Sequence, residues 1–384
     1  MCDSPFPNGR REDRGVEDRT TLYDQLQVLE REESPLTVRQ RLQAMNRPLL
    51  AWYGEHARIL PWREDPQPYR VWISEIMLQQ TRVEAVKPYF ERFMRELPTV
   101  NQLAAVPEDR LMKLWEGLGY YNRAKNLKRA AGIIVEEYGG VMPSDFDELL
   151  KLPGIGSYTA GAIASIAYGA AVPAVDGNVL RVLSRILASR EDILKQSTKR
   201  WMESELRETM PKDGAGSFNQ GLIEIGAIVC VPNGQPKCGE CPLSSLCLAR
   251  REGTIGEIPV KTPPKKRRIE DRTVCILEYQ DRVGLRRRPD TGLLASLYEL
   301  PNAEGHLKKE ELGKAFGLDS ARMISVEPLP EAKHIFSHIE WRMIGYRIRL
   351  RDGIPPGYLD VEKEQLKTGY PLPNAFGRYT KLIK

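Results

Sequence analysis

Residues 152–161 read LPGIGSYTAG, and they decide what kind of fold the chain can adopt. Apolar residues up to Leu149–Leu152 end one helix, and Pro153 stops it. Gly154 and Gly156 then open the next. Glycine lets the backbone turn tightly with amides exposed at a helix N-terminus, a geometry that receives a phosphate oxygen. A bare Gly-x-Gly would read as an ordinary helix–helix connection. Flanked by Leu-Pro before and Thr-Ala after, it matches a helix–hairpin–helix element.

Working outward, residues 40–250 read as mostly helical. Segment 71–86, VWISEIMLQQTRVEAV, places Ile73, Ile76, Met77, Gln80 and Val83 on one stripe of a single helix. Pro88 is expected to open the following helix, since proline suits a first turn. Residues 178–188 and 217–229 show similar periods. Residues 253–272, rich in Pro, Lys and Arg, read as a linker. Beyond it the texture changes: RTVCILEY and WRMIGYRIRL have strand length and pattern, with two short helical stretches between. The expected fold is mainly α, with a helical domain over 38–252 and an α+β domain over 273–384. Residues 1–37 are polar and without periodicity, and read as a disordered or weakly helical tail. No internal repeat is visible.

A chain of 384 residues with 41% hydrophobic content can bury two full cores. It contains no apolar run of membrane-spanning length. The net charge of +5 is unevenly placed: residues 1–37 hold five arginines against nine acids, leaving the remainder near +9. Such an excess suits a polyanion, although charge alone does not name one.

Four cysteines crowd into GAIVCVPNGQPKCGECPLSSLC: Cys230, Cys238, Cys241 and Cys247. Cys2 and Cys275 lie far off. A disulfide pair finds no support in the rest of the chain, which has no signal peptide and no spread of paired cysteines. An all-sulfur ligand set suits an iron–sulfur cluster or zinc. Zinc sites usually carry two separated Cys-x-x-Cys knuckles. Here one knuckle has seven residues before it and five after, which favours iron–sulfur.

Two carboxylates stand out only in context. Asp176, in AVPAVDGNVLRVLSR, sits just ahead of a helix and reads as an N-cap. Glu75 lies off the apolar stripe of its helix and reads as solvent-facing.

Together, VWISEIMLQQTRVEAV, LWEGLGYYNRAKNL, LPGIGSYTAG, AVDGNVLRV and the cysteine loop follow the order found in the endonuclease III superfamily of DNA glycosylases. Over residues 40–384 the chain resembles the adenine-specific, MutY-type branch most. The resemblance implies a two-lobed helix–hairpin–helix domain carrying a 4Fe–4S cluster on the four cysteines. It also implies bent DNA, bound partly through Gly154 and Gly156, with an adenine flipped into a cleft between the lobes. The family's catalytic acid falls on Glu75 and its catalytic aspartate on Asp176. Asn178 and Arg63 match pocket-lining positions. Bifunctional relatives carry a lysine where this chain has Tyr158, so strand cleavage by a Schiff base is not expected. Tyr158 instead resembles a family tyrosine near the aspartate. Gln80, with its neighbour Thr81, and the loop Leu118, Gly119 and Tyr120 match residues that wedge into the base stack.

The C-terminal domain resembles a MutT-like domain without the acidic box of nucleotide hydrolases. Within HIFSHIEW, Phe336, Ser337 and His338 match a loop that reads 8-oxoguanine. The implied partner is double-stranded DNA with adenine opposite 8-oxoguanine or guanine, and the implied protein is a monomeric bacterial enzyme of the cytoplasm and nucleoid. The family has one residue fewer between its first two cluster cysteines. Three rivals are weaker. A bifunctional glycosylase lacks its lysine, a non-catalytic damage binder needs neither carboxylate, and a ferredoxin needs no hairpin.

Overall fold

The computed structural model describes residues 36–263 and 266–383. The tail read over 1–37 therefore lies, apart from Leu36 and Thr37, outside the described residues. Thr37 caps the first helix through a capping box with Gln40.

The helical part has two lobes, and one is discontinuous. Helices α1 (Val38–Ala44) and α2 (Asn46–His56) begin one lobe. The chain then leaves to build the other from α3 (Pro61–Glu64), α4 (Pro68–Leu78), α5 (Val83–Glu96), α6 (Val100–Ala105), α7 (Glu108–Trp115), α8 (Asn122–Glu137), α9 (Phe146–Lys151) and α10 (Ser157–Tyr168). Trp72, Phe90, Phe93 and Trp115 fill this inserted core. The chain returns as α11 (Gly177–Ile186), α12 (Gln196–Thr209), α13 (Ala215–Ile228) and α14 (Leu248–Arg251). These close on α1 and α2 around Met45, Leu49, Phe218 and Leu222.

Two local expectations are corrected. Segment 71–86 is not one helix. Helix α4 stops at Leu78, and Gln80 has φ +59°, which no α-helix accommodates. The apolar stripe holds only as far as Met77, and Gln80 is exposed. Pro88 does not open a helix but lies inside α5. There it deprives the Glu84 carbonyl of a partner. Both residues are exposed, so water can replace that bond, while Val86, Phe90 and Phe93 bury the opposite face.

The second domain is a mixed sheet in the order β3-β2-β1-β6-β5. Strands β1 (Arg268–Tyr279) and β6 (Ile339–Leu350) are parallel neighbours. Strands β2 (Arg282–Arg287), β3 (Tyr298–Glu299) and β4 (Asn302–Glu304) follow β1, β5 (Met323–Ile335) precedes β6, and β7 (Leu359–Glu362) pairs with β2. Helix α15 (Leu312–Phe316) packs on one face, and the segment ending in α16 (Gly377–Thr380) covers the other. Strand β1 begins inside the expected linker. Upstream of it, Ile258 and Val260 offer carbonyls to Arg185 Nε (2.8 Å) and Ile193 N (3.2 Å), so part of the linker is laid onto the discontinuous lobe.

The two domains share an interface. Leu297 is fully buried within the core of the inserted lobe. Lys113 Nζ donates to the carbonyls of Leu366 (2.9 Å) and Tyr370 (3.2 Å). Glu116 Oε1 accepts from Leu372 N at 2.8 Å, and Asn374 Nδ2 donates to Gly117 O at 3.2 Å.

Gly161 on α10 sits against the strand-like run leading to Asp176. A Cβ there would lie 2.1 Å from the Pro173 carbonyl oxygen. Gly161→Ala should cost about 1–3 kcal/mol through forced separation of α10 from that run. Gly132→Ala, where a Cβ meets nothing within 4 Å on α8, should instead stabilise by about 0.5–1 kcal/mol. Urea midpoints of the two variants check the contrast.

Candidate active site

The lobes face each other across a cleft of about 1220 Å³. Glu75 enters from α4, a helix buried on all sides from Val71 to Met77. The sequence reading made Glu75 solvent-facing; it is only 7% exposed. The stripe rule assumes one wet face, and here α10 packs against α4 and sets Tyr158 on Glu75. Tyr158, in the first turn of α10, donates its hydroxyl to Glu75 Oε2 at 2.6 Å. Burial pushes the Glu75 carboxyl up to about 7; the Tyr158 donor opposes this, and the Asp176 charge adds to it.

Asp176 comes from the other lobe. It is the N-cap of α11, and its Oδ1 accepts from the amides of Asn178 and Val179, both at 2.8 Å. Its Oδ2 accepts from Asn178 Nδ2 at 2.7 Å. Burial raises the Asp176 carboxyl, while these three donors hold its charged form. The capping role read from sequence is therefore present, and the same side chain lines the cleft. Asn178 passes the connection on: its Oδ1 accepts from Arg181 Nη2 at 2.9 Å, and Arg181 donates onward to the carbonyls of Gly226 (2.7 Å) and Cys230 (2.8 Å).

Arg63 also lines the cleft, but it is committed. It donates to Glu224 Oε2 at 2.9 Å, while Arg58 Nε holds Oε1 at 2.6 Å. Burial would raise the Glu224 carboxyl, yet the two guanidiniums outweigh it and keep the group below the usual range. Sequence reasoning missed Glu224 and Arg58. The available signal was an acid inside the otherwise apolar run GLIEIGAI. Among the described residues, no lysine lines the cleft.

Gln80, Thr81, Leu118, Gly119 and Tyr120 gather on the cleft rim. Gln80 (φ +59°) and Tyr120 (φ +49°) are both left-handed, which costs a non-glycine residue about 1–2 kcal/mol. Tyr120 is 49% exposed, so it is not a core aromatic. Across the cleft stands the β5–β6 turn of the second domain, with Phe336, Ser337 and His338 among the lining residues. Phe336 anchors the turn edge-on to Trp341, ring centroids 5.0 Å apart, and Ser337 and His338 are exposed. Gly154 and Gly156 do not reach the cleft. Gly154 has φ +79° in the hairpin and Gly156 is the N-cap of α10, without a side chain to occupy the free amides.

The four cysteines of the loop, with Arg185 and Arg250, line a separate cavity of about 30 Å³. All four are free thiols, and Arg185 Nη1 donates to Cys230 Sγ at 3.2 Å. Among the described residues no three His, Cys, Asp or Glu side chains converge as ligands of a single ion would. A sulfur-only ligand set suits an iron–sulfur cluster or zinc.

Glu75 ionises at about 7 in the fold against about 4.5 unfolded. Between those values the folded state binds the extra proton, so this group's contribution is favourable at low pH and is lost as pH rises through 7. Glu75→Gln should therefore match the wild-type stability near pH 4 and exceed it at pH 8. The gain should be about 1.4 kcal/mol for each tenfold difference in proton affinity between the folded and unfolded states. Urea denaturation at the two pH values checks this; a larger gain at pH 4 would contradict it.

Residues 73–212 match the family model described as HhH-GPD superfamily base excision DNA repair protein, and residues 273–382 match a NUDIX domain model. The adenine DNA glycosylase of Homo sapiens is 34% identical over 385 residues, covering 83% of this chain and 70% of that one. That of Buchnera aphidicola subsp. Baizongia pistaciae is 34% identical over 295 residues, covering 76% of this chain and 82% of its own. Among solved structures, a thermostable thymine-DNA glycosylase superposes with TM-score 0.50 at 28% identity, covering 55% of this chain and 97% of that one.

Proposed function

The chain belongs to the adenine DNA glycosylases, and on that premise we propose that it hydrolyses the N-glycosidic bond of adenine paired with 8-oxoguanine or guanine in DNA. The observation that carries this reading is the pairing of Glu75 and Asp176 across one cleft, with the β5–β6 turn on the same cleft.

Adenine leaves poorly until a ring nitrogen is protonated. A carboxyl that ionises at about 7 holds a proton near neutral pH, and Glu75 gives it to the flipped base. As the C1′–N9 bond breaks, positive charge develops on the sugar. Asp176, whose charged form its three donors favour against burial, balances that charge from the opposite lobe. A water then adds at C1′ and releases its extra proton to the carboxylate left on Glu75. Glu224 supports Glu75 indirectly: by engaging Arg63 it keeps that guanidinium from pairing with Glu75 and drawing off its proton. With no lysine on the cleft among the described residues, hydrolysis without strand cleavage follows.

Discrimination of the opposite base is proposed for Ser337. Oxidation turns a guanine ring acceptor into an N–H donor, and an exposed hydroxyl accepts from it. Phe336 supplies the anchor. The experiment is single-turnover excision from duplexes with adenine opposite 8-oxoguanine or guanine. Glu75→Gln and Asp176→Asn should lose about 100- to 10,000-fold on both. Joint replacement of Phe336, Ser337 and His338 by alanine should keep excision and shrink the ratio between the two duplexes. A near-wild-type rate for Glu75→Gln would remove Glu75 as the acid; an unchanged ratio in the triple variant would move lesion reading elsewhere.

For the cysteine loop we propose a 4Fe–4S cluster on Cys230, Cys238, Cys241 and Cys247; bound there, it ties the loop together. Support comes from the sulfur-only set and its cavity. Protein purified without oxygen should carry about four irons per chain with broad visible absorption. Cys241→Ser should lose the iron, whereas Cys275→Ser, buried in the second domain, should keep it. Stoichiometric zinc would contradict the proposal.

A further inference from the structure

Arg123, the second residue of α8, is only 9% exposed and makes no ion pair with any described carboxylate. Its guanidinium is surrounded by oxygens from two separate segments. Nη1 donates to the carbonyls of Ile76 (2.8 Å), Met77 (3.0 Å) and Gln79 (2.5 Å). Nη2 donates to the carbonyls of Leu118 (3.2 Å) and Gly119 (3.1 Å), with Thr81 Oγ1 at 3.4 Å. Its Cζ lies 5.3 Å from the Trp115 ring centroid and 5.5 Å from that of Tyr120. The first set of carbonyls closes the helix that carries Glu75 and leads directly into Gln80. The second leads directly into Tyr120. Both of these residues are left-handed.

A buried cation without a carboxylate loses its hydration, and only well-placed dipoles can offset that. Here the negative end of α4 and the loop carbonyls provide them. An apolar side chain would fill the space without that loss, so packing alone does not account for an arginine. Lysine would not serve either. Its donors radiate from one nitrogen, whereas the guanidinium is a planar fork that reaches in two directions. Burial pulls the Arg123 guanidinium down to about 10, which still leaves it charged at neutral pH.

We propose that Arg123 is a positioning residue that fixes Gln80 and Tyr120 side by side, so that they enter the base stack as one rigid unit coupled to the Glu75 helix. The proposal rests on reading Gln80 and Tyr120 as the wedge. Free of Arg123, each residue would relax toward negative φ and would have to be restored on every encounter with DNA.

The test uses the full-length, iron-loaded protein. Arg123→Met removes every donor at similar volume, and Arg123→Lys keeps the charge but not the fork. Each is made alone for rates, and on Glu75→Gln for binding, so that the base is retained. A duplex with 2-aminopurine at the target position opposite 8-oxoguanine reports extrusion by a rise in fluorescence. Excision by both variants should fall by about tenfold to a hundredfold, the scale of restoring one or two left-handed residues. The fluorescence rise should fall with it, while affinity for undamaged duplex, iron content and melting stay near wild type. The deficit should narrow on a duplex whose target adenine faces an abasic site, because no partner base then resists extrusion. Equal losses on the two duplexes with an intact fluorescence rise would overturn the proposal, as would wild-type rates. If the methionine variant does not fold, the lysine variant decides. A Gln80→Ala/Tyr120→Ala control separates the two levels. A wild-type rise there overturns the wedge reading and the proposal with it. A lost rise there, beside a wild-type rise in the Arg123 variants, overturns only the role of Arg123.

Discussion

A buried carboxyl on the cleft wall, capped by one phenol from its own lobe, is the constraint around which the cleft is arranged. In its proposed role Glu75 must stay dry enough to keep a proton, and α10 packed against α4, with Tyr158 on the carboxyl, keeps it buried. Much else follows from protecting that state. The nearest guanidinium, Arg63, is bound to Glu224. The second acid, Asp176, is placed on the other lobe and given three donors of its own, which favour its charged form against burial. The cleft thus pushes the Glu75 carboxyl up to about 7, and it sets three donors against the burial that raises Asp176.

The second domain is built into the first. Leu297 completes a helical core, and Glu116, Gly117 and Lys113 hold the segment from Leu366 to Asn374. Those contacts sit immediately before Leu118, Gly119 and Tyr120. The turn bearing Ser337 and the loop bearing Tyr120 are therefore referenced to the same short stretch of backbone. A shift of the second domain would move both sides of the cleft rim together.

Local chemistry was legible in the sequence wherever local rules governed it. The hairpin at Pro153–Gly156, the cap at Asp176 and the strands around Cys275 and Trp341 follow from residue type and spacing. The four cysteines are equally plain. What could not be read was set by contacts distant along the chain. Glu75 reads as solvent-facing because helical periodicity does not know that α10, with Tyr158, packs over the polar face. The break between α4 and α5 carries no glycine or proline in LQQT; it is held by Arg123, more than forty residues later. Glu224 meets Arg58 and Arg63 from the far end of the domain. Pro88 was judged by its preference for first turns, and solvent around Glu84 relaxed that rule.

The discontinuous lobe also sets an order of assembly. Helices α1 and α2 emerge first but find no partners until Val175 and the helices after it have been made. At roughly 5–20 residues per second that is a delay on the order of ten seconds. Meanwhile the inserted lobe, contiguous from Leu60 to Val172, can close around all but the late-arriving Leu297. The nascent chain thus holds a formed Glu75 helix with nothing yet opposite it. Only when α11 docks does the pair of carboxylates exist, so in the proposed mechanism an unfinished chain meets DNA without the means to cut a base from it.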